Sequence, residues 1–546
     1  MAAISWELLF AIVPGLILFL YGIENFSKEI INVVGNRFRD TLGKLTKNRW
    51  RGFAFGAALT AMVQSSAATT VIAVSLVNIG TISFAQSLGV MIGANIGTTI
   101  TAQLVAFKLT AFGPVFILAG FVWGLVGGRY KFVGKPLFYF GLVFFSLQLI
   151  SSSLDPLKDD AQFISLISNL DNFVIALLVG VLFTTAVQSS SVTSGLMVVL
   201  ALNGVISLEQ AIPVLLGANI GSTTTTLFAS AKMDLFARRA AMAHFLFNVG
   251  GVIMFIPLAG VLADAVIRIG GDAGQQVANA HLVFNLVTAV VFLIFLTQFQ
   301  KVVSWMVKGD EKEILLRTEH LQKVMPEDNR QSFRLIEREL NRNLDVTREL
   351  FSTAFETLAE DGQQRMRRIT KLEGLNDYLD DEIERSILQM SKRSLDEDEA
   401  RMTILLVRMS NLLERLGDHA EDIGDQALEM HKRRSVLPQE QMDELHTVID
   451  SLMNDIDLLG DCLLTVDESI GARIEEGSSM MNDRIDVIYQ QHIMRMREAS
   501  IPSDSTLLEL LTVMESANDK VRELAGMATK YSQIAVKRGD DLACRG

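Results

Sequence analysis

Along the first 300 residues apolar positions run on almost without interruption, whereas beyond residue 328 they recur at helical spacing on otherwise charged segments. Apolar stretches near 6–26, 86–107, 111–128, 132–154, 209–230, 240–263 and 277–300 each approach the ~20 residues that cross a hydrocarbon core, which predicts seven spans. In the first, Lys28 lies behind the apolar run and not ahead of it as in a secretory signal, so the segment reads as a retained helix. Past 328 the pattern predicts helices over 329–360, 363–391, 397–432, 438–470, 473–498 and 504–536. Breaks are expected at Gly362, Leu395, Pro438, Gly471 and Pro502, with Asp396 and Ser503 as N-caps.

Two further apolar segments, 52–80 and 172–204, carry polar clusters in their middles: Gln64-Ser65-Ser66-Ala67-Ala68-Thr69-Thr70 and Gln188-Ser189-Ser190-Ser191-Val192-Thr193-Ser194. They are 124 residues apart, and so are Gly93-Ala94-Asn95-Ile96-Gly97-Thr98-Thr99 and Gly217-Ala218-Asn219-Ile220-Gly221-Ser222-Thr223. Glu24 and Gln148, Gly56 and Gly180, Thr60 and Thr184, and Gly80 and Gly204 keep the same offset, which marks one duplication. Small polar residues often do no more than pack membrane helices together, but packing alone does not require two such motifs to be copied at one spacing. If each cluster is the tip of a re-entrant hairpin, three crossings separate the copies and their topologies are opposite. That is the inverted-repeat architecture of many secondary transporters, with sites where the copies meet.

Charge orients the segments. The loops near 28–51, 129–135 and 231–239 hold thirteen Lys and Arg, the alternate connections only Lys108, Lys158 and Arg268. The positive-inside bias puts the N-terminus outside and brings the chain into the cytoplasm after the seventh span. Residues 1–300 carry a net +4 and residues 301–546 a net −17, within a total of −13 and a pI near 5.2. An acidic chain is poorly suited to nucleic acid, which needs clustered Lys and Arg. The hydrophobic share of 49% and mean hydropathy of +0.32 suit a lipid bilayer. The two cysteines, Cys462 and Cys544, exclude a disulfide scaffold or a Cys-rich metal centre.

Hairpin tips leave backbone groups without helical partners, and in lipid these must line protein or water. Helix N-termini with hydroxyls offer donors to an oxyanion, and hydroxyl, amide and carbonyl oxygens suit Na+. The clusters, each followed by Gly-Ala-Asn-Ile-Gly, resemble the type II sodium-phosphate cotransporter family over nearly all of 1–300. The resemblance implies phosphate moved with sodium. Carried over position by position, it points to Gln64, Ser65, Ser66, Thr69, Asn95, Thr98 and Thr99 in copy one. In copy two it points to Gln188, Ser189, Ser190, Ser191, Thr193, Asn219, Thr223 and Thr224. Copy one departs from the family's longer serine run at Ala67 and Ala68. A second echo, Ala243-His244-Phe245-Leu246-Phe247-Asn248 and Ala280-His281-Leu282-Val283-Phe284-Asn285, favours interhelical hydrogen bonding. Glu24 reads equally as a snorkelling end residue or an ion ligand.

In the acidic half Glu414, Asp418 and Asp422 recur at i, i+4, i+8, as do Glu515, Asp519 and Glu523, and Glu373 and Asp377 form a further pair. Such ladders repel unless a hard cation such as Mg2+, Mn2+ or iron bridges them; a solvated acidic face is the alternative. Glu414-Arg415-Leu416-Gly417-Asp418-His419-Ala420 resembles the signature of PhoU, a six-helix regulator of phosphate uptake. That likeness implies metal at these carboxylates, with Asn482 standing in the second repeat where Glu373 stands in the first.

The expected fold is thus an all-α membrane protein, an inverted-repeat transporter with two re-entrant hairpins followed by a cytoplasmic six-helix PhoU-like bundle. Its expected parts are a transport domain over 1–305 (repeats about 1–128 and 129–268, extra span 277–300), a connector over 306–327 and a regulatory domain over 328–546. The expected function is sodium-coupled phosphate transport across the cytoplasmic membrane, with cytoplasmic regulatory partners and a homodimer left open. No Walker loop or catalytic constellation argues for an enzyme. The alternatives are a transporter of another oxyanion or carboxylate, and a phosphate sensor without net transport.

Overall fold

The computed structural model describes residues 6–34, 46, 48–107, 109–154, 164, 167–309, 311–359, 362–433, 438–460, 463–465, 467–499 and 506–539. Arg37, Arg39, Lys44, Lys47, Lys108, Lys158 and the Arg129 side chain of the charge argument lie outside the described residues, as do Pro502, Ser503, Cys462 and Cys544. The described residues hold helices and no strand, and the chain divides into two compact units, 1–313 and 314–546.

In the first unit the helices are α1 (Trp6–Val34), α2 (Arg49–Val63), α3 (Ser66–Asn78), α4 (Phe84–Ala106), α5 (Gly113–Val126), α6 (Gly134–Leu154) and α7 (Phe173–Val187). They continue with α8 (Ser190–Leu202), α9 (Leu208–Gly221), α10 (Thr224–Ser230), α11 (Leu235–Phe255), α12 (Ala259–Ile269), α13 (Ala273–Ile294) and α14 (Leu296–Met306). Among the described residues four helical segments are long and apolar enough to cross a membrane: Phe84–Ala106, Leu109–Val126, Tyr130–Leu154 and Ala273–Ile294.

Three expected spans differ in form. The stretch 209–230 is interrupted between α9 and α10 at Ser222 and Thr223. The stretch 240–263 bends by 82° between α11 and α12, where Pro257 has no amide to continue the helical ladder. The stretch 277–300 is two helices that part at Phe295.

The duplication is repeated in backbone detail. Ser83 and Ser207 open α4 and α9 with capping boxes completed by Gln86 and Gln210. Glycines bring paired helices into backbone contact: a Cβ on Gly56 or Gly180 would fall 2.1 Å from the carbonyl oxygen of Val90 or Val214. One on Gly93 or Gly217 would fall 2.0 Å from that of Phe53 or Leu177. Any side chain there would drive α2 from α4 and α7 from α9. Gly80 and Gly204, at φ 75° and 69°, make the turns after α3 and α8. Glu24 pairs with Lys28 one turn on, at 2.6 Å and with both side chains largely exposed.

The second unit is built from α15 (Asn329–Ala359), α16 (Gln363–Met390), α17 (Glu397–Arg433), α18 (Gln439–Leu458), α19 (Glu468–Ala499) and α20 (Thr506–Arg538) around one apolar core. Asp396 caps α17, its Oδ1 accepting the Glu399 amide at 2.8 Å. Gly471 lies inside α19 and does not break a helix; its missing Cβ lets the Thr529 hydroxyl of α20 come close. The break falls instead at Gly460, at φ 76°. A helical glycine costs only about 1 kcal/mol, which packing of a long amphipathic helix readily offsets.

Candidate functional site

Among the described residues Gln64 and Gln188 are the non-glycine residues at positive φ, 57° in each case. Each ends a helix in the left-handed region, and the next residue, Ser65 or Ser189, is extended and starts another. Ser65 Oγ accepts the Ala68 amide at 3.2 Å and Ser189 Oγ the Val192 amide at 3.4 Å. A left-handed glutamine costs about 1–2 kcal/mol, and strain kept twice at matching positions points to a site. Thr60 donates to Thr69 at 2.8 Å, and the Thr184 and Thr193 hydroxyls lie 2.6 Å apart, so each hydroxyl pair ties together the two helices flanking its break.

The breaks are interleaved across the copies. Ser191 on α8 donates to the Gln64 carbonyl at 3.5 Å and stands 3.3 Å from Thr101 on α4, whose hydroxyl donates to Gln64 Oε1. Thr70 on α3 meets Thr226 on α10 at 3.0 Å. The helix after each break therefore packs on the other copy. Many hydroxyls spend their proton on a carbonyl one turn back, as do Thr98, Thr99, Ser194, Ser222, Thr223 and Thr224. Their oxygen lone pairs are left to accept, an arrangement suited to a hard cation. The first amides of α3 and α8 supply donors for an anion.

Asn95 and Asn219 make their side-chain hydrogen bonds to helices other than those of the breaks. Asn95 Nδ2 donates to Asn248 Oδ1 at 2.7 Å, and His244 Nε2 lies 3.3 Å from Asn95 Oδ1. Asn219 Nδ2 donates to Asn285 Oδ1 at 2.9 Å, and His281 Nε2 lies 3.4 Å from Asn219 Oδ1. The histidine–asparagine echo thus joins helices by hydrogen bonds.

The expected residues Gln64 and Ser191 meet at the contact between copies; Thr69 and Thr193 brace the breaks from within. Gln188 is exposed, and Ser66 and Ser190 are buried at the first turns of α3 and α8. Thr70, Thr101 and Thr226 were not among the expected residues. Thr101 had a signal, because Thr225 lies 124 residues on; Thr226 had none, its counterpart being Ala102.

In the second unit Glu373, Asp377 and Asp418 place carboxylate oxygens within 4.8 Å of one another. Burial first, then Asp377, with Glu421 and Asp418 adding, push Glu373 up to about 8. Asp377, Glu414 and Asp422 are also raised, each by burial first. Oxygen donors brought together against their repulsion fit a hard divalent cation. Glu414 and Asp422 flank this group on α17 without belonging to it. In the second ladder, Asp519 pairs with Arg522 at 3.0 Å and Glu523 with Lys520 at 3.2 Å, while Asn482 accepts from Asn518.

Duplicated helix breaks thus meet inside a unit that holds, among the described residues, four helical segments long and apolar enough to cross a membrane. The Na+/Pi-cotransporter family model matches residues 18–152 and 160–294, and the PhoU domain model matches residues 340–427. A Bacillus subtilis relative, "Uncharacterized protein YqeW", is 30% identical over 297 residues, 54% of this chain and 96% of its own. The chain belongs to the Na+/Pi-cotransporter family and carries a PhoU domain behind the membrane unit. "Putative inorganic phosphate export protein YjbB" of Escherichia coli is 23% identical over 92% of this chain and 94% of its own. "Sodium-dependent phosphate transport protein 2C" of Mus musculus is 46% identical over 85 residues, 15% of this chain and 14% of its own.

Proposed function

We propose that this protein moves inorganic phosphate together with Na+ across the cytoplasmic membrane, through a site formed where the two breaks interleave. The observation that carries the reading is the contact of Ser191 and Thr101 with Gln64, which sets a hydroxyl-rich seam between two strained helix breaks. Ser65, Ser66, Ser189 and Ser190, with the first amides of α3 and α8, bind the anion. The oxygens of Gln64, Gln188 and the threonines after each Asn-Ile-Gly, including Thr101 and Thr225, bind sodium. The two segments are re-entrant hairpins of opposite topology, the N-terminus is outside, and the PhoU domain is cytoplasmic and regulates flux with a divalent metal at Glu373, Asp377 and Asp418. The E. coli relative, which shares nearly the whole length, is named for export, so the sodium gradient is to be varied in both directions.

Purified protein in liposomes should take up phosphate under a Na+ gradient and not under choline, and Ser65→Ala or Ser190→Ala should lower the flux about tenfold with folding retained. Equal flux in the two media would remove the sodium claim. Unchanged flux in both variants would remove the site, and stronger competition by sulfate than by arsenate would move the substrate away from phosphate. In a background lacking Cys462 and Cys544, a single cysteine at Asp171 should react with an impermeant thiol reagent from outside, and one at Lys232 should not.

A further inference from the structure

Two identical polar clamps hold the helices that carry the Asn-Ile-Gly motifs. On α11, His244 and Asn248 sit one turn apart and grip Asn95 of α4; on α13, His281 and Asn285 do the same to Asn219 of α9. The six side chains are between 1% and 5% exposed. The direction of every hydrogen bond follows from one backbone group. Asn248 Nδ2 donates to the His244 carbonyl at 2.9 Å, and Asn285 Nδ2 to the His281 carbonyl at 2.9 Å. A carbonyl only accepts, so the Oδ1 of Asn248 and of Asn285 must take the proton of Asn95 and Asn219. The Oδ1 of Asn95 and Asn219 then faces the imidazole, and the ring must carry its proton on Nε2.

Each ring has this asparagine as its polar partner, because Nδ1 of His244 and of His281 is buried without one. A buried imidazole held at one nitrogen is costly where an apolar side chain would pack as well. It is accounted for if the asparagine must be held in one orientation. Asn95 spends an amide proton and its amide oxygen on the clamp, and it shares a helical face with Thr98 and Thr99, three and four residues on. Rotation of α4 at Asn95 therefore moves Thr98, Thr99 and Thr101 together, and rotation of α9 at Asn219 moves Ser222 and Thr223.

We propose that His244 and His281 are positioning residues of transport: acting through Asn95 and Asn219, they fix the rotation of the two helices that present hydroxyls to the interleaved breaks. Asn95 and Asn219 on this account orient the site and do not coordinate the cargo. The inference rests on the reading of those breaks as the transport site.

The test compares amides of two lengths in the full-length protein in liposomes. The glutamine amide reaches where Nε2 stood, and the asparagine amide only where Nδ1 stood. His244→Gln and His281→Gln should keep half-saturation for sodium and phosphate within about twofold of the parent. His244→Asn and His281→Asn should raise it about tenfold with little change in maximal rate. Gln and Asn variants that behave alike, whether both unaffected or both impaired with lowered melting temperature, would overturn the inference and leave the transport reading standing. A parent protein with no Na+-driven flux would remove the transport reading itself and this inference with it.

Discussion

Gln64 and Gln188 share a backbone conformation, a following N-cap serine and a hydroxyl brace, yet Gln64 is 8% exposed and Gln188 lies open. In copy one the Gln64 amide oxygen receives the Thr101 hydroxyl and its carbonyl receives Ser191. In copy two the matching hydroxyl, Thr225 Oγ1, is buried with no partner. The helix after the Asn-Ile-Gly motif runs unbroken in copy one and parts at Ser222 and Thr223 in copy two. One substitution accounts for the missing bond across the copies. Ser191 reaches over to copy one, and Ala67, its counterpart, has no hydroxyl to reach back. The duplicated frame sets where the chain breaks, and the Ser191 hydroxyl, absent at Ala67, adds a contact to the Gln64 carbonyl that has no counterpart at Gln188 among the described residues.

The largest effect should appear where the copies agree. Gly93→Ala and Gly217→Ala each force a methyl to 2.0 Å from a carbonyl oxygen, so each should cost about 3 kcal/mol or more and fail to give a folded, detergent-stable protein. A large difference between the two would break the equivalence of the frames, and a side-by-side melting curve decides it.

The carboxylate sets of the second unit offer the next comparison. With Mn2+ at about a hundred times its dissociation constant, the full chain should gain about 2.7 kcal/mol in that unit's unfolding. Asp418→Asn should lose the gain and Asp519→Asn should not, because Asp519 already has Arg522. Without metal, Glu373 keeps its proton up to about pH 8 in the folded chain and to about 4.5 in the unfolded one. The folded state thus binds the extra proton in that window, and this group's contribution to stability falls as pH rises through it. Metal must displace the proton, so binding should strengthen from pH 6 to pH 8, read by calorimetry in two buffers of different ionisation heat.

Smaller effects should separate the membrane copies. Thr101→Val leaves the Gln64 oxygen without its donor and should cost about 1–3 kcal/mol. Thr225→Val removes a hydroxyl that has no partner and should be neutral within about 0.5 kcal/mol. Equal melting shifts would erase the asymmetry. Ala67→Ser should supply the missing partner to Thr225 and stabilise by about 1 kcal/mol; a double-mutant cycle with Thr225→Val measures that coupling directly.

Much of the membrane frame was legible because a duplication reads itself: the offset of 124 located the two clusters where the helices break, while the capping role of the serines and the close contacts at the glycines emerged only from the fold. The His-Asn echo announced interhelical bonds, but its partners Asn95 and Asn219 are 149 and 62 residues from the rings, a separation no local pattern encodes. The bend at Pro257 was masked because unbroken apolarity reads as one span while a missing amide reads only as a local fault. In the acidic half, i, i+4 spacing proposed three carboxylates on α17 and two on α16. The crossing of those helices selected Asp418 to join Glu373 and Asp377.

By itself the sequence determined the two units, the repeat, the two breaks at the Gln-Ser-Ser clusters and the chemical character of what stands there. These follow from periodicity, from turn and cap residues and from hydrophobic length, all of which act within a few residues. Only the tertiary structure decided that α3 and α8 each pack on the opposite copy, that Thr101 and not Thr225 is engaged, and which asparagine each histidine holds. Those outcomes depend on side chains meeting across helices far apart in sequence, where a gap of one hydroxyl is enough to change the partner.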